Sequence, residues 1–281
     1  MSLEKSSTSS SLDPTQQKLG GALFNLEEVF EVDDYLYFYS ESLTAERTDT
    51  EVSALVRYLG LETPMHILDL ACGFGRHTNR LAALGHYMTG IDLMPRFLQI
   101  AREDADSRGV QVHYHQGDMR NIDFEEEFDR VILGFTAFGY FEDDENLLVL
   151  KNIARALKPG GRMIFDTIAR DTVLKRLISH YVTEKEGNLM IDRVSFDVLT
   201  GRQHNNRIVI RDGVRKDKPF SIRLYNVNEL LVLLKNAGLE LVKLYGGWDD
   251  QPFTSESFRI IVLAGKPDGF NLAGTVKESL L

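Results

Sequence analysis

The sequence predicts an α/β protein: a sheet of seven strands with helices on both faces and an antiparallel sheet inserted late in the chain. Three observations predict it. Strand and helix patterns alternate from residue 66 onward, a turn with two glycines joins the first strand to its helix, and three period-two runs without intervening helices fill residues 188–225. Alternation of this kind requires crossover helices and therefore a parallel sheet.

Residues 1–20 are Ser/Thr-rich with few apolar side chains, and a disordered arm is expected over 1–21. The stretch "TDTEVSALVRYLG" places Val52, Leu55, Val56 and Leu59 at helical spacing behind a Thr/Asp cap, with Gly60 as its stop. Then come "HILDLA" as strand, "RHTNRLAALG" as helix, "HYMTGID" as strand, and a helix with Pro95 in its first turn. The strands "VQVHYHQGD" and "FDRVILGF" follow, then a helix with Leu147, Leu150, Ala154 and Leu157 on one stripe, and the strand "RMIFDTI". The runs "LMIDRVSFDV", "NRIVIRD" and "FSIRLY", separated by "TGRQ" and "DGVR" turns, read as an antiparallel meander. The helix "VNELLVLLKNAG" and the strands "LELVKLYGG" and "FRIIVLAGK" complete the sheet.

Composition narrows the function. The net charge of -10 opposes a phosphate backbone, so a nucleic-acid substrate would need a local basic patch. The single cysteine, Cys72, excludes an internal disulfide framework and fits a reducing compartment. No apolar run approaches the roughly 18 residues of a membrane span. A cytoplasmic protein without membrane partners is expected, either monomer or homodimer. No metal site is expected.

In "ILDLACGFGRHTNRLA", Gly73 and Gly75 follow a strand and open a helix, where missing side chains and free N–H groups admit a ligand to the backbone. A tight turn can also demand glycine by itself. A dinucleotide site wants a third glycine where Thr78 stands, and no P-loop pattern occurs. Asp92 ends the next strand, where a carboxylate can accept both ribose hydroxyls of a nucleoside; Asp118 ends the one after, near an adenine amino group, with the Met119 backbone beside the ring. Either aspartate taken alone can instead cap the helix that follows.

In this order, "LDLACGFGR", "GIDLM", "GDMR", "FDRVILGFTAFGYF" and "LKPGGRMIFD" resemble the successive motifs of the class I S-adenosylmethionine-dependent methyltransferases, over roughly residues 49–168. The tail from "YNVNELLVLLKNAG" to "FRIIVLAGK" resembles the closing helix and antiparallel hairpin of the same Rossmann-like fold. Ala71 departs from the fullest pattern, which has glycine there. The resemblance implies S-adenosylmethionine as cofactor and S-adenosylhomocysteine as product. It implies that Asp69, Ala71, Gly73 and Gly75 line the methionine end, Asp92 holds the ribose, Leu93 the adenine face, Asp118 and Met119 the adenine edge, and Phe135 the amino group through its backbone. It also divides the chain into a segment over the cofactor (22–60), a core (61–168 and 226–266), an inserted lid (169–225) and a tail (267–281). In "YLYFYSESLTAER", Tyr39 and Arg47 are candidates for the cofactor, Arg47 for its carboxylate. Exposed helix-surface positions are the alternative.

Transfer of a methyl group from a sulfonium needs alignment and a dry pocket rather than a protein nucleophile, and no catalytic residue is assigned. The loop "GFTAFGYFEDD" lacks the N/D-P-P-Y signature of nucleobase and glutamine methylation, which leaves a small-molecule N or O acceptor as the leading expectation. An RNA or protein methyltransferase, a non-catalytic binder of the cofactor and a nicotinamide oxidoreductase are the alternatives. Phe138, Tyr140 and Phe141 are candidates for an acceptor wall, with core as the other reading. On the lid, Met190, Val194, Phe196 and Val198 form a packing face, while Arg193, His204, Arg207, Arg223 and Tyr225 are acceptor candidates. Several arginines on one cavity would suit an acidic acceptor; a solvated sheet face is the alternative. Trp248 is either an acceptor platform or a hydrophobic plug.

Overall fold

The computed structural model describes residues 16–19 and 22–268. A hairpin of β1 (Gln16–Leu19) and β2 (Ala22–Asn25) leads into three helices, α1 (Leu26–Val29), α2 (Val32–Tyr39) and α3 (Ala45–Leu59). Thr44 caps α3 through its side chain and Gly60, at φ +64°, stops it. The strand β1 lies inside the stretch expected to be disordered, because its backbone finds a ladder with β2 that its polar composition does not advertise. The rest of that arm, and residues 269–281 of the expected tail, lie outside the described residues.

The core continues as β3 (His66–Leu70), α4 (Thr78–Ala83), β4 (Tyr87–Asp92), α5 (Pro95–Arg108), β5 (Val112–Gln116), β6 (Phe128–Leu133), α6 (Asp143–Ala156) and β7 (Leu157–Ile168). After α7 (Arg170–Lys175) come four strands of a separate sheet, β8 (His180–Lys185), β9 (Asn188–Asp197), β10 (Arg202–Arg211) and β11 (Val214–Arg223). The chain then returns to the core with α8 (Val227–Ala237), β12 (Glu240–Tyr245) and β13 (Arg259–Gly265).

The seven-stranded sheet runs β12-β13-β7-β6-β3-β4-β5, with β13 antiparallel to both neighbours and the other pairings parallel. Its central strands bury apolar residues on both faces because helices cover both. Leu68 and Leu70 pack with α6 and α8 on one side, while Ile67 packs with α3 on the other. The strand order reverses between β3 and β6, where crevices open at the carboxyl ends of such sheets.

The inserted sheet runs β11-β10-β9-β8 and is fully antiparallel. It has four strands where the sequence shows three. The additional strand, β8, is a mostly exposed edge, so its residues "HYVTEK" carry no burial alternation to read. Its hairpin to β9 turns on Glu186 and Gly187, and that of β10 to β11 on Asp212 and Gly213, each pair at positive φ as two-residue hairpins require. Among the described residues no helix is long and apolar enough to cross a membrane.

Candidate active site

A cleft opens at the carboxyl ends of β3, β4 and β6, roofed by the segment containing α1 and α2, with about 1110 Å³ of empty space including its open mouth. Of the positions expected on the cofactor side, Asp69, Ala71, Gly73, Asp92, Leu93, Asp118, Met119 and Phe135 line it.

Asp92 is buried at the end of β4, where its carboxylate accepts the N–H groups of Gly73 and Met94, each at 2.8 Å. It therefore ties the glycine turn to the start of α5. Burial pushes its carboxyl up to about 6 against the pull of those two donors. Asp69 accepts from Thr78 Oγ1 at 2.6 Å, and burial pushes it up to about 7. Thr78, the residue that replaces a third glycine, is thus a hydrogen-bond donor to the site's floor.

The two glycines differ in what they do. Gly73 has φ +56°, and a Cβ there would meet no protein atom within 4 Å, because it would project into open space. Gly75 does not line the cleft, and a Cβ there would lie 2.3 Å from the Tyr114 hydroxyl and 2.9 Å from Ala101 Cβ. Its glycine is required by this crowding and by a φ of +74°, whatever the ligand. Ala71 takes φ +53°, a left-handed conformation that explains glycine as the commoner residue in the resembled pattern. Phe135 and Thr136, just after β6, are also left-handed and turn that loop's backbone along the cleft wall.

Asp118 faces the cleft and also caps the single 3₁₀ turn after it, accepting from Arg120 N at 2.8 Å and pairing with the Arg120 guanidinium at 2.6 Å. Tyr39 and Arg47 are not on the cleft lining. The Tyr39 hydroxyl accepts from Arg207 at 3.0 Å, and Arg47 pairs with Glu51 at 2.9 Å while its guanidinium lies 5.4 Å from the Phe135 ring centre.

Of the lining residues that were not singled out from sequence, two bear most on the site. Arg76, buried beside Gly75, donates through Nη1 to Glu51 and to Thr48 Oγ1, while its Nη2 is buried without a hydrogen-bond partner among the described residues. Its guanidinium lies 4.9 Å from the Phe135 ring centre. Glu51 is held at about 2: its burial is overcome by hydrogen bonding to His77 and by the charge of Arg76. His77, buried at 2.9 Å from Glu51, is pushed down to about 4, chiefly by burial, and is neutral at pH 7. Tyr35 is the second, one turn before Tyr39 on the same helix face, its ring 5.3 Å from Phe97 and 4.7 Å from Tyr39. The i, i+4 spacing from Tyr39 was the available signal; Arg76 had only its place after the second glycine.

The acceptor candidates disperse. Tyr140 lines the cleft, edge-on to Phe30 at 5.4 Å and stacked on Phe220 at 6.2 Å. Phe138 is core, packed on Phe165 and Tyr225. Tyr225 is buried with its hydroxyl donating to Asp143, and Arg223 pairs with Asp143 and Glu229. Strand alternation puts Arg193 and His204 on the lid face opposite Arg207. Arg207 in turn is paired with Asp192 at 2.8 Å. The arginines therefore do not converge on one cavity. The expected packing face holds Met190 and Val194 buried, whereas Val198 at the hairpin end is exposed. Trp248 stacks at 6.2 Å on Tyr58 in the cluster behind the sheet, which makes it a plug.

Comparison with known proteins agrees with this architecture. A methyltransferase-domain family model matches residues 67–161. The dTDP-4-amino-2,3,4,6-tetradeoxy-D-glucose N,N-dimethyltransferase of Saccharopolyspora spinosa is 32% identical over 209 residues, covering 70% of this chain and 79% of the relative. Among solved structures, the CcbJ methyltransferase from Streptomyces caelestis superposes with a TM-score of 0.70 at 21% identity, covering 83% of this chain and 96% of that one. An S-adenosylmethionine-dependent methyltransferase from Clostridium acetobutylicum gives 0.71 at 20% identity, covering 85% and 98%. A glycine-turn cleft at the strand reversal, an ordered series of motifs and a relative of this identity over two thirds of the chain lead to one conclusion: the chain belongs to the class I S-adenosylmethionine-dependent methyltransferases.

Proposed function

We propose that the cleft holds S-adenosylmethionine between Asp92 and Arg76, and that the enzyme methylates a neutral amine on a polar, ring-shaped small molecule. The observation that carries the placement is the buried, unpartnered Arg76 Nη2 on the cleft wall. A buried guanidinium nitrogen left without an acceptor is costly unless a ligand supplies one, and a carboxylate is the natural occupant. Asp92 accepts the ribose hydroxyls, Leu93 and Met119 cover the adenine, Asp118 meets its edge, and the backbone at Phe135 serves the amino group. Gly73, open where a side chain would stand, gives the ligand access to the backbone.

Bound there, the cofactor supplies an electrophilic methyl group. The chain's own part is to align the acceptor and exclude water, which the aromatic residues Phe30, Tyr35 and Tyr140 do at the roof. Arg207, neutralised by Asp192 on the lid, leaves no surplus charge there for an acidic acceptor. The Saccharopolyspora relative, by its name, dimethylates a nucleotide-linked amino sugar. The test is transfer of tritium from methyl-labelled S-adenosylmethionine to a panel holding a dTDP-linked 4-amino sugar, a catechol and bulk tRNA. Label in the amino sugar is expected; label in tRNA alone overturns the acceptor reading.

A further inference from the structure

We propose that Asp34 is a positioning residue for the methyl transfer: its ion pairs to the inserted sheet fix helix α2 so that Tyr35 roofs the cleft over the bound cofactor. The proposal rests on the cofactor placement given above.

Asp34 and Lys218 are both buried, 4% exposed each. The Asp34 carboxylate accepts from Lys218 Nζ at 2.7 Å, Lys216 Nζ at 3.0 Å and Arg211 Nη1 at 3.2 Å, three cations from β10 and β11 gathered on one anion. Burial alone would raise its carboxyl, but the Lys218 and Lys216 ammonium groups hold it well below the usual range, so it stays charged.

The rest of α2 follows the same lid. Lys185 Nζ donates to Tyr37 O at 3.0 Å, Asn188 Nδ2 donates to the Tyr37 hydroxyl at 2.8 Å, and that hydroxyl donates to Lys185 O at 2.9 Å. Phe38 packs with Met190 and Val209, and Tyr39 accepts from Arg207. Among the described residues, the hydrogen bonds that α2 side chains make to other elements all go to the four-stranded sheet. Toward the core, Tyr35 meets Phe97 through its ring.

The part of the roof that Tyr35 supplies is thus tied to the four-stranded sheet, whereas the floor belongs to the seven-stranded one. Tyr35 lines the cleft together with Arg76 and Asp92, the residues placed at the methionyl carboxylate and the ribose. Asp34 is its chain neighbour. A shift of α2 by about 1 Å would move the roof enough to cost up to about a hundredfold in rate.

The test is a double-mutant cycle read by calorimetric titration with S-adenosylhomocysteine, with thermal melts alongside. The variants are Asp34→Asn, Tyr35→Ala and their combination. Because Asp34→Asn leaves the buried Lys218 with only Glu31, at 3.6 Å, as its anion, Asp34→Asn/Lys218→Met, with and without Tyr35→Ala, repeats the cycle without that buried cation. If Asp34 acts through Tyr35, each single change weakens binding by about tenfold and the combination by little more. Losses that multiply to about a hundredfold overturn the proposal. So does an Asp34 variant that melts earlier yet binds within about twofold of the parent. A parent that fails to bind overturns the cofactor placement and this proposal together, whereas a parent and variants that bind equally overturn this proposal alone.

Discussion

Replacing Asp92 by Asn should leave the ligand-free protein at least as stable at pH 8 while removing most of its affinity for S-adenosylhomocysteine. The Asp92 carboxyl is pushed from its ordinary 3.8 up to about 6 by burial. Because the folded value lies above the unfolded one, the fold gives up stability as pH rises between the two, and above about pH 6 the full cost of the buried charge is present. The difference corresponds to about 3 kcal/mol. An amide carries no charge but keeps one acceptor oxygen, so one of the two N–H bonds from Gly73 and Met94 is lost, at about 1–3 kcal/mol. The balance is a gain of up to about 2 kcal/mol, or a rise of up to about 5 °C in melting temperature, at pH 8. At pH 5, between the two values, only about half of that cost is present, and the gain falls to at most about 0.5 kcal/mol. The ligand tells the opposite story: two charge-assisted bonds to the ribose weaken, costing about 3 kcal/mol, or about a hundredfold in affinity. The parent's affinity should also fall as pH drops through about 6, while the variant's stays flat. Melts without ligand at pH 5 and 8, with calorimetric titrations at the same two values, measure all of this. A variant that melts more than about 5 °C earlier at pH 8 and binds within about threefold of the parent would refute the reasoning.

The two glycines of the turn should separate cleanly. Gly75→Ala forces a methyl onto the Tyr114 hydroxyl and should cost about 2–4 kcal/mol in denaturant melts, whereas Gly73→Ala meets open space and should cost about 1–2 kcal/mol but weaken S-adenosylhomocysteine at least about tenfold. Arg76→Met should weaken S-adenosylhomocysteine by at least about tenfold yet leave 5′-methylthioadenosine, which has no carboxylate, unaffected in the same titration; equal losses for both would show that Arg76 only supports the fold. Ala71→Gly relieves a left-handed alanine at φ +53° and should raise stability by up to about 1 kcal/mol; a lower melting temperature would count against strain at that position.

What could be read ahead of the structure was whatever is local in the chain. The strand ends, the αL stop at Gly60, the glycine turn and the carboxylates Asp69 and Asp92 all follow from patterns a few residues long. Edge strand β8 escaped because an exposed strand has no burial alternation. The arginines of the lid were legible as residues but not as a charge distribution. Which face each takes depends on register, and the register with β9 and β11 sends Arg207 inward against Asp192 and Arg193 outward.

The sequence by itself determined the fold class, the succession of strands and helices through the seven-stranded core and the glycine turn after its first strand, since periodicity of 2 and 3.6 and the steric demands of glycine act between near neighbours. Only the tertiary structure decided that Gly75 is crowded by Tyr114, that Arg76 rather than Arg47 reaches the cleft with a nitrogen to spare, and that α2 rides on the lid through Asp34. Each of those depends on side chains from elements 28 to 184 residues apart meeting at hydrogen-bond or van der Waals distance. No pattern along the chain encodes such a meeting until the sheet order and register have set it.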